Sequence, residues 1–234
     1  MKRAWICGLL LLTAYSCQED ESEYNPDLGY EYFPTEIGSY VTFRADSIFH
    51  DNPTTAAEGV HDTTSYFIKE VIESEVLDAL NEPALRIVRY KRDTPDDPWQ
   101  LRDVWMAKTG PRRAERVEEN RRYVKLVFPI SSASEWDGNA LNDLNEWEHS
   151  YDSIGYTRVY DTLSFSSTVF VNQRQFLTEV NDEHAYEIYA EGVGLVFRYH
   201  KELFTRPSYL NNRVAENIIS GNEFTWEIID YGVE

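Results

Sequence analysis

The chain is poor in cysteine. Of its 234 residues only Cys7 and Cys17 carry a thiol, and both lie at the extreme N-terminus. Everything downstream must therefore fold without disulfides, thiolate nucleophiles or thiolate metal sites. Positive charge is also scarce: 22 Lys and Arg against 41 Asp and Glu give a net charge of −19. That balance argues against nucleic acid as a partner, because phosphate binders carry a basic footprint. No apolar run approaches the roughly 20 residues that span a bilayer as a helix. There is no Gly-x-Ser-x-Gly elbow, phosphate loop, dinucleotide glycine fingerprint or His-Glu-x-x-His. Gly192-Val193-Gly194 lacks both a third glycine and a following helix, so it reads as a turn into a strand. His50, His61, His149, His184 and His200 never fall at the three- or four-residue spacing of a helical metal pair. The expectation is a protein with no cofactor, no metal and no catalytic residue, hence not an enzyme.

What is present begins at the N-terminus. Lys2 and Arg3 precede a short apolar stretch from Ala4 to Leu12, and Ala14-Tyr15-Ser16 leads to Cys17. This resembles a bacterial lipoprotein signal, although Tyr15 is not the usual residue two before the cysteine. The resemblance implies removal of residues 1–16 and acylation of Cys17. Each buried methylene of an acyl chain contributes about 0.8 kcal/mol, so several chains on one cysteine hold a domain firmly to a membrane. Gln18, Glu19, Asp20 and Glu21 follow. They resemble the acidic export tag of Bacteroidota lipoproteins, which implies an outer-membrane location facing the cell exterior; the plainer alternative is a solvated tether. Residues 17–29 read as that lipid-anchored acidic tether and 30–234 as a β-rich extracytoplasmic domain.

The body alternates with a period of two. Leu163, Phe165, Val169 and Val171 share one face; so do Val124, Leu126 and Phe128, then Val193, Leu195, Phe197 and Tyr199, and then Phe224, Trp226 and Ile228. Val41, Phe43 and Ala45 make an early strand, with weaker strands over 85–92 and 101–108. Turn chemistry separates these runs at 81–83, 94–98, Gly110-Pro111, 137–139, Glu191-Gly192 and Gly221-Asn222. Ile68, Ile72, Val76 and Leu80 recur every fourth residue, which also suits a helix; a strand over 65–73 running into a loop is favoured. A short helix near 139–144 is expected. The fold class is mainly β: an antiparallel sandwich or strongly curved sheets with few short helices.

Two segments look alike. Phe33-Pro34 precedes Tyr40 and Asp46-Ser47-Ile48, and Phe128-Pro129 precedes Trp136 and Asp152-Ser153-Ile154. They suggest related β-rich halves, 30–127 and 128–234, in one body or two lobes. Tyr32-Phe33-Pro34-x-x-x-Gly38-x-Tyr40, Trp136-Asp137-Gly138-Asn139 and the run from Tyr189 to Val196 resemble small uncharacterised Bacteroidota cell-envelope lipoproteins. That resemblance covers most of the chain after the signal, and implies a compartment and a β-rich body without an activity.

Candidate contacts are few. The Asp and Asn cluster from Trp136 to Asp143 could interest calcium, but its spacing does not fit an EF-hand and turn chemistry explains it better. Trp105 and Trp226 suit a core, whereas Trp99, between Pro98 and Gln100, suits an exposed contact. Residues 84–125 hold twelve Lys and Arg against seven Asp and Glu, in a chain that nets −21 from Cys17 onward. Arg112, Arg113, Arg121 and Arg122 could therefore face an anionic glycan or an envelope protein, or simply pair with acidic neighbours. The favoured function is a lipid-anchored binding or structural module. The alternative is a carboxylate-dependent envelope glycan hydrolase, marked by a cleft with two carboxyl groups about 5–9.5 Å apart.

Overall fold

A computed structural model describes residues 27–51, 60–205 and 218–234. Residues 1–16, Cys17 and Gln18 to Glu21, which the sequence suggests as signal, lipidation site and export tag, lie outside the described residues. The described residues form twelve strands in chain order: β1 (Ser39–Asp51), β2 (Val60–Leu77), β3 (Pro83–Arg92), β4 (Gln100–Thr109), β5 (Arg113–Glu118), β6 (Arg121–Val127), β7 (Glu135–Asp137), β8 (Glu148–Tyr160), β9 (Leu163–Leu177), β10 (Asn181–Ala190), β11 (Gly194–Thr205) and β12 (Ile218–Val233). They form one antiparallel sheet in the order β6-β5-β4-β3-β2-β1-β12-β11-β10-β9-β8-β7. Each half of the chain is a six-strand meander, and β1 and β12 join the meanders along their whole length, from Ser39 opposite Val233 to Asp51 opposite Ser220. The sheet curls into a nearly closed barrel. The strongly curved sheet expected from the sequence is what forms, and it replaces the sandwich.

The two edge strands meet at a seam sealed mainly by side chains. The Val124 amide donates to the Gly138 carbonyl at 2.9 Å. The Trp136 indole donates to the Val124 carbonyl, and Asn142 Nδ2 donates to that of Arg122. The Tyr151 hydroxyl accepts from the Val127 amide at 2.9 Å and donates to its carbonyl at 2.8 Å. An open edge would leave these backbone groups unpaired; here one phenol does the work of a neighbouring strand. Tyr151 is buried, and burial pushes its ionisation well above the ordinary tyrosine range, so the hydroxyl keeps the proton it donates.

The core sits inside the barrel. Phe43, Ile68, Leu126, Val169, Val171, Val196 and Ile228 are fully buried, and Trp105 and Trp226 stack with centroids 6.5 Å apart. Each such aliphatic or aromatic side chain contributes on the order of 1.5–3 kcal/mol by leaving water. One end is plugged by the segment before β1, which carries a single 3-10 turn, Tyr30–Tyr32. Tyr32 and Phe33 are buried there, the Tyr32 hydroxyl bonds Ser167 at 2.6 Å, and the Gly192 amide donates to the Glu31 carbonyl. Strand β1 starts at this plugged end and runs to the opposite mouth.

Several local expectations are corrected. No helix forms over 139–144: Asp137 Oδ1 takes the Asn139 and Trp147 amides, and such side-chain acceptors favour turns over helix. Strand β2 is longer than 65–73; Ile68 and Ile72 are two strand periods apart on one face, but a bulge between Ile72 and Ser74 puts Val76 on the other face and Leu80 lies beyond the strand. Gly221-Asn222 is no turn; β12 runs through it. A Cβ at Gly221 would lie 2.1 Å from the Glu202 carbonyl oxygen, and φ there is +142, so the strand needs a glycine at that close approach. Bulges also break two predicted faces. Pairing skips Lys125 in β6 and Val196 in β11, which puts Leu195 and Phe197 on opposite faces and leaves Val124, Lys125 and Leu126 all buried.

Candidate binding cavity

Between plug and mouth the barrel interior is crossed by charge. Glu70 accepts from Arg89 Nε at 2.9 Å and from Arg116, and Arg89 also reaches Asp103 at 2.9 Å. Glu187 accepts from Lys125 Nζ at 2.9 Å, Arg198 Nε at 2.6 Å and the Tyr189 hydroxyl at 2.6 Å. Glu118 completes the belt through Arg198 Nη2 at 3.0 Å and Lys125 Nζ at 3.0 Å. Four carboxylates face four cations, so the belt is neutral. Strand alternation explains the positions: Arg89 and Ile87, Arg116 and Ala114, and Glu187 and Tyr189 are each two residues apart on an inward row. Arg89 lies flat on Trp105, its guanidinium carbon 3.4 Å from the ring centroid. Arg89 Nη2, Arg116 Nε and Trp105 Nε1 are buried without a hydrogen-bond partner among the described residues.

Burial opposes ionisation of Glu118 and Glu187, but the Arg198 and Lys125 charges outweigh it. Glu118 is held down to about 2, and Glu187 lies well below the usual carboxylate range. Glu70, fully enclosed, is likewise lowered because Arg116 and Arg89 overcome its desolvation.

Above the belt, toward the mouth, lies a cavity of about 450 Å³. Its floor is Glu118, Lys125, Glu187 and Arg198, and its sides carry Trp147, His149, Gln173, His200 and Phe224. Trp147 and His200 stack with centroids 6.1 Å apart, and His200 and Phe224 with centroids 4.9 Å apart. Burial and the nearby Lys125 push His149 down to about 4, so it is neutral at pH 7. Its ring rests on Gly138, where a Cβ would approach within 2.1 Å. The loop 138–147 thus seals the seam and walls the cavity. Below the belt a smaller pocket of about 70 Å³ lies against the plug, lined by Phe33, Pro34, Val41, Ile72 and Leu195, with Glu70 and Arg116 at its inner end.

The residues singled out from the sequence lie elsewhere. Trp99 is half-buried under the Arg92 guanidinium, 4.3 Å from its centroid. Arg113 and Arg122 both pair with Glu115, and Arg122 also reaches Asp78. Arg121 pairs with the exposed Asp143. Arg112 is exposed and makes no ion pair among the described residues. The structure brings Arg113 and Arg122 together on one carboxylate and leaves Arg112, Arg121 and Trp99 apart. The Asp and Asn cluster is occupied with its own turn: Asn139 Nδ2 donates to the Asn145 carbonyl and Asn142 Oδ1 accepts from the Leu144 amide. Among the described residues no three His, Cys, Asp or Glu side chains converge as metal ligands.

Sequence reasoning missed the belt and the cavity. A signal existed: Arg89 interrupts the face of Leu85 and Ile87, and Glu187 interrupts that of Ala185 and Tyr189. A charge on an otherwise apolar strand face marks an interior partner. No protein-family model, curated protein or solved structure matches this chain.

Proposed function

We propose that this protein is a lipid-anchored binding module of the bacterial outer membrane, tethered through acylated Cys17, exported by the tag Gln18 to Glu21, and holding a small soluble ligand in its open mouth. The observation that carries the binding reading is the cavity of about 450 Å³, within the range of small-molecule sites, with aromatic side chains and a fixed charged floor. The chain enters the barrel at the plugged end, so a tether there turns the mouth away from the membrane. Ion pairs on the outer face, such as Arg44 with Asp46 and Lys201 with Asp182, suit a tethered domain better than a barrel immersed in lipid. Among the described residues no helix is long and apolar enough to cross a membrane.

The hydrolase alternative has one observation in its favour: Glu118 and Glu187 share a cavity with Trp147 and Phe224. Glycoside hydrolysis needs one of two carboxyls protonated near neutral pH. Both are held as anions by shared cations, which favours binding over hydrolysis.

The test is glycan-array and small-metabolite binding by the purified full chain, compared with Gln173→Trp, which fills the cavity. Saturable binding to the wild type and at least about tenfold weaker binding to the variant is the expected result. Equal binding by both, or none by either, overturns the reading. Cys17→Ala should abolish labelling by an alkyne fatty acid and partition with membranes. Replacing Glu19, Asp20 and Glu21 by Ala should protect the protein from external protease on intact cells while leaving it membrane-bound.

A further inference from the structure

Two of the five histidines meet where the sequence spacing gave no hint of it. His50 near the end of β1 and His61 near the start of β2 are register partners across the hairpin, with ring centroids 4.9 Å apart. Their Nδ1 atoms face each other at 2.7 Å. His50 Nε2 lies 3.0 Å from Glu223 Oε1 on β12, and the other Glu223 oxygen accepts from the Tyr199 hydroxyl at 3.3 Å. His50 is buried, whereas His61 is exposed to solvent.

This arrangement fixes a tautomer. A carboxylate only accepts, so His50 must donate through Nε2, and its Nδ1 in the neutral ring is a bare lone pair. With both rings neutral, that lone pair faces the Nδ1 of His61 at 2.7 Å, and His61 then supplies the shared proton. An imidazole with one nitrogen anchored on a carboxylate and the other presented bare is the state of a metal-ligating histidine with its supporting hydrogen bond in place.

We propose that His50 Nδ1 and His61 Nδ1 form a two-imidazole site for a divalent transition metal on the outer face of the barrel, with Glu223 as the positioning residue and water completing the shell through the exposed His61 side. Binding requires His61 to move its proton to Nε2, where solvent receives it as a donor; no oxidation or net proton release is involved. The short separation selects the ion. Ligand bonds of about 2.0–2.1 Å put adjacent square-planar nitrogens ~2.9 Å apart and tetrahedral ones ~3.3 Å apart. From 2.7 Å, a square-planar ion such as Cu(II) needs the smaller adjustment, and Cu(II) is also the strongest divalent binder for nitrogen ligands. The site is separate from the cavity, since strand alternation puts His50 on the face opposite Phe43 and Ala45.

The experiment is titration of the purified, metal-free full chain with Cu(II), read by electron paramagnetic resonance, which distinguishes imidazole nitrogen from carboxylate oxygen ligands. One equivalent with two imidazole nitrogens is expected for the wild type and for the control His184→Gln. His61→Ala, at an exposed position, should lose that two-nitrogen spectrum while near-UV circular dichroism stays native. Glu223→Gln keeps both imidazoles and should weaken affinity by roughly 10–100-fold, an effect a purely structural role for Glu223 would not produce. An oxygen-only spectrum in the wild type, or a two-nitrogen spectrum that survives His61→Ala, overturns the proposal.

Discussion

The two ends of this barrel are built from opposite chemistry. At the plugged end Tyr32 and Phe33 enter an apolar interior and leave only about 70 Å³ free. At the mouth the interior is a neutral belt of paired charges beneath about 450 Å³ of open space. Apolar side chains collapse onto each other without directional demands, so the plug can be tight. A buried ion pair must keep its geometry, because each charge is tolerated only while its partner stays in place. The belt is therefore rigid where the plug is merely filled, and a rigid polar floor is what a binding cavity needs.

Removing one partner of the belt gives the largest expected effect. Glu187→Ala strands Lys125 and Arg198 with one acceptor fewer and leaves the Tyr189 hydroxyl unpaired. Breaking a buried pair this way costs about 3–5 kcal/mol, read as a fall in the urea midpoint at unchanged slope. A change at the plug that only trims volume, Val41→Ala, should cost clearly less because Val41 is only partly buried. Equal losses would erase the distinction between the ends.

Acid should separate the ends next. The folded protein holds His149 at about 4 against 6.5 when unfolded, so between those values the unfolded chain binds more protons. Stability from this group is full above pH 6.5 and is lost as pH falls toward 4, a change on the order of 3 kcal/mol. Glu118 acts lower: its contribution is present above pH 4.5 and disappears as pH falls toward 2. Chemical denaturation at stepped pH should show a decline from pH 6.5 that His149→Asn flattens. A wild-type profile flat from pH 6.5 to 4 would contradict the assignment of His149 as a buried neutral ring.

Much of the framework was legible because strands announce themselves by period. Phe43 and Ala45, Trp226 and Ile228, and Val169 and Val171 were assigned to one face each and line the interior. Phe33-Pro34 and Phe128-Pro129 stand before the first strands of the two six-strand meanders. The two broken strand faces have one physical cause. A bulge inverts every side chain after it, and nothing local in Lys125 or Val196 reveals that the partner strand skips it. The cavity was illegible for a related reason. Its floor comes from β5, β6, β10 and β11, and only barrel closure brings Glu118 within 3.0 Å of Arg198, 80 residues away. The His50 and His61 pair likewise depends on hairpin register rather than on spacing along the chain.

The seam offers a smaller test. Tyr151→Phe keeps the ring against Trp136 but removes the hydroxyl that both donates to and accepts from Val127. Leaving those backbone groups unpaired should cost about 1–3 kcal/mol. Hydrogen exchange at the Val127 amide should quicken, while amides along the continuous joint of β1 and β12 keep their protection. If Val127 exchanges no faster in the variant, closure of the seam does not depend on the phenol.

The smallest expected effect concerns the basic side chains outside the barrel. Arg112 and Arg121 carry the same charge as Arg198 and sit in the segment where positive charge is concentrated, yet they are exposed. Arg121 forms its ion pair among the described residues with Asp143, itself 80% exposed. An ion pair in water gains little, since solvent screens it and two long side chains must be ordered to make it. Arg112→Ala and Arg121→Ala, singly or together, should shift stability by less than about 0.5 kcal/mol, whereas Arg198→Ala should fall among the belt variants. If the exposed pair nevertheless serves an anionic partner, binding to an acidic glycan should weaken as salt rises and weaken further in the double variant, with no change in the denaturation midpoint. A double variant as unstable as Arg198→Ala would mean that charge in this segment, and not burial, governs stability.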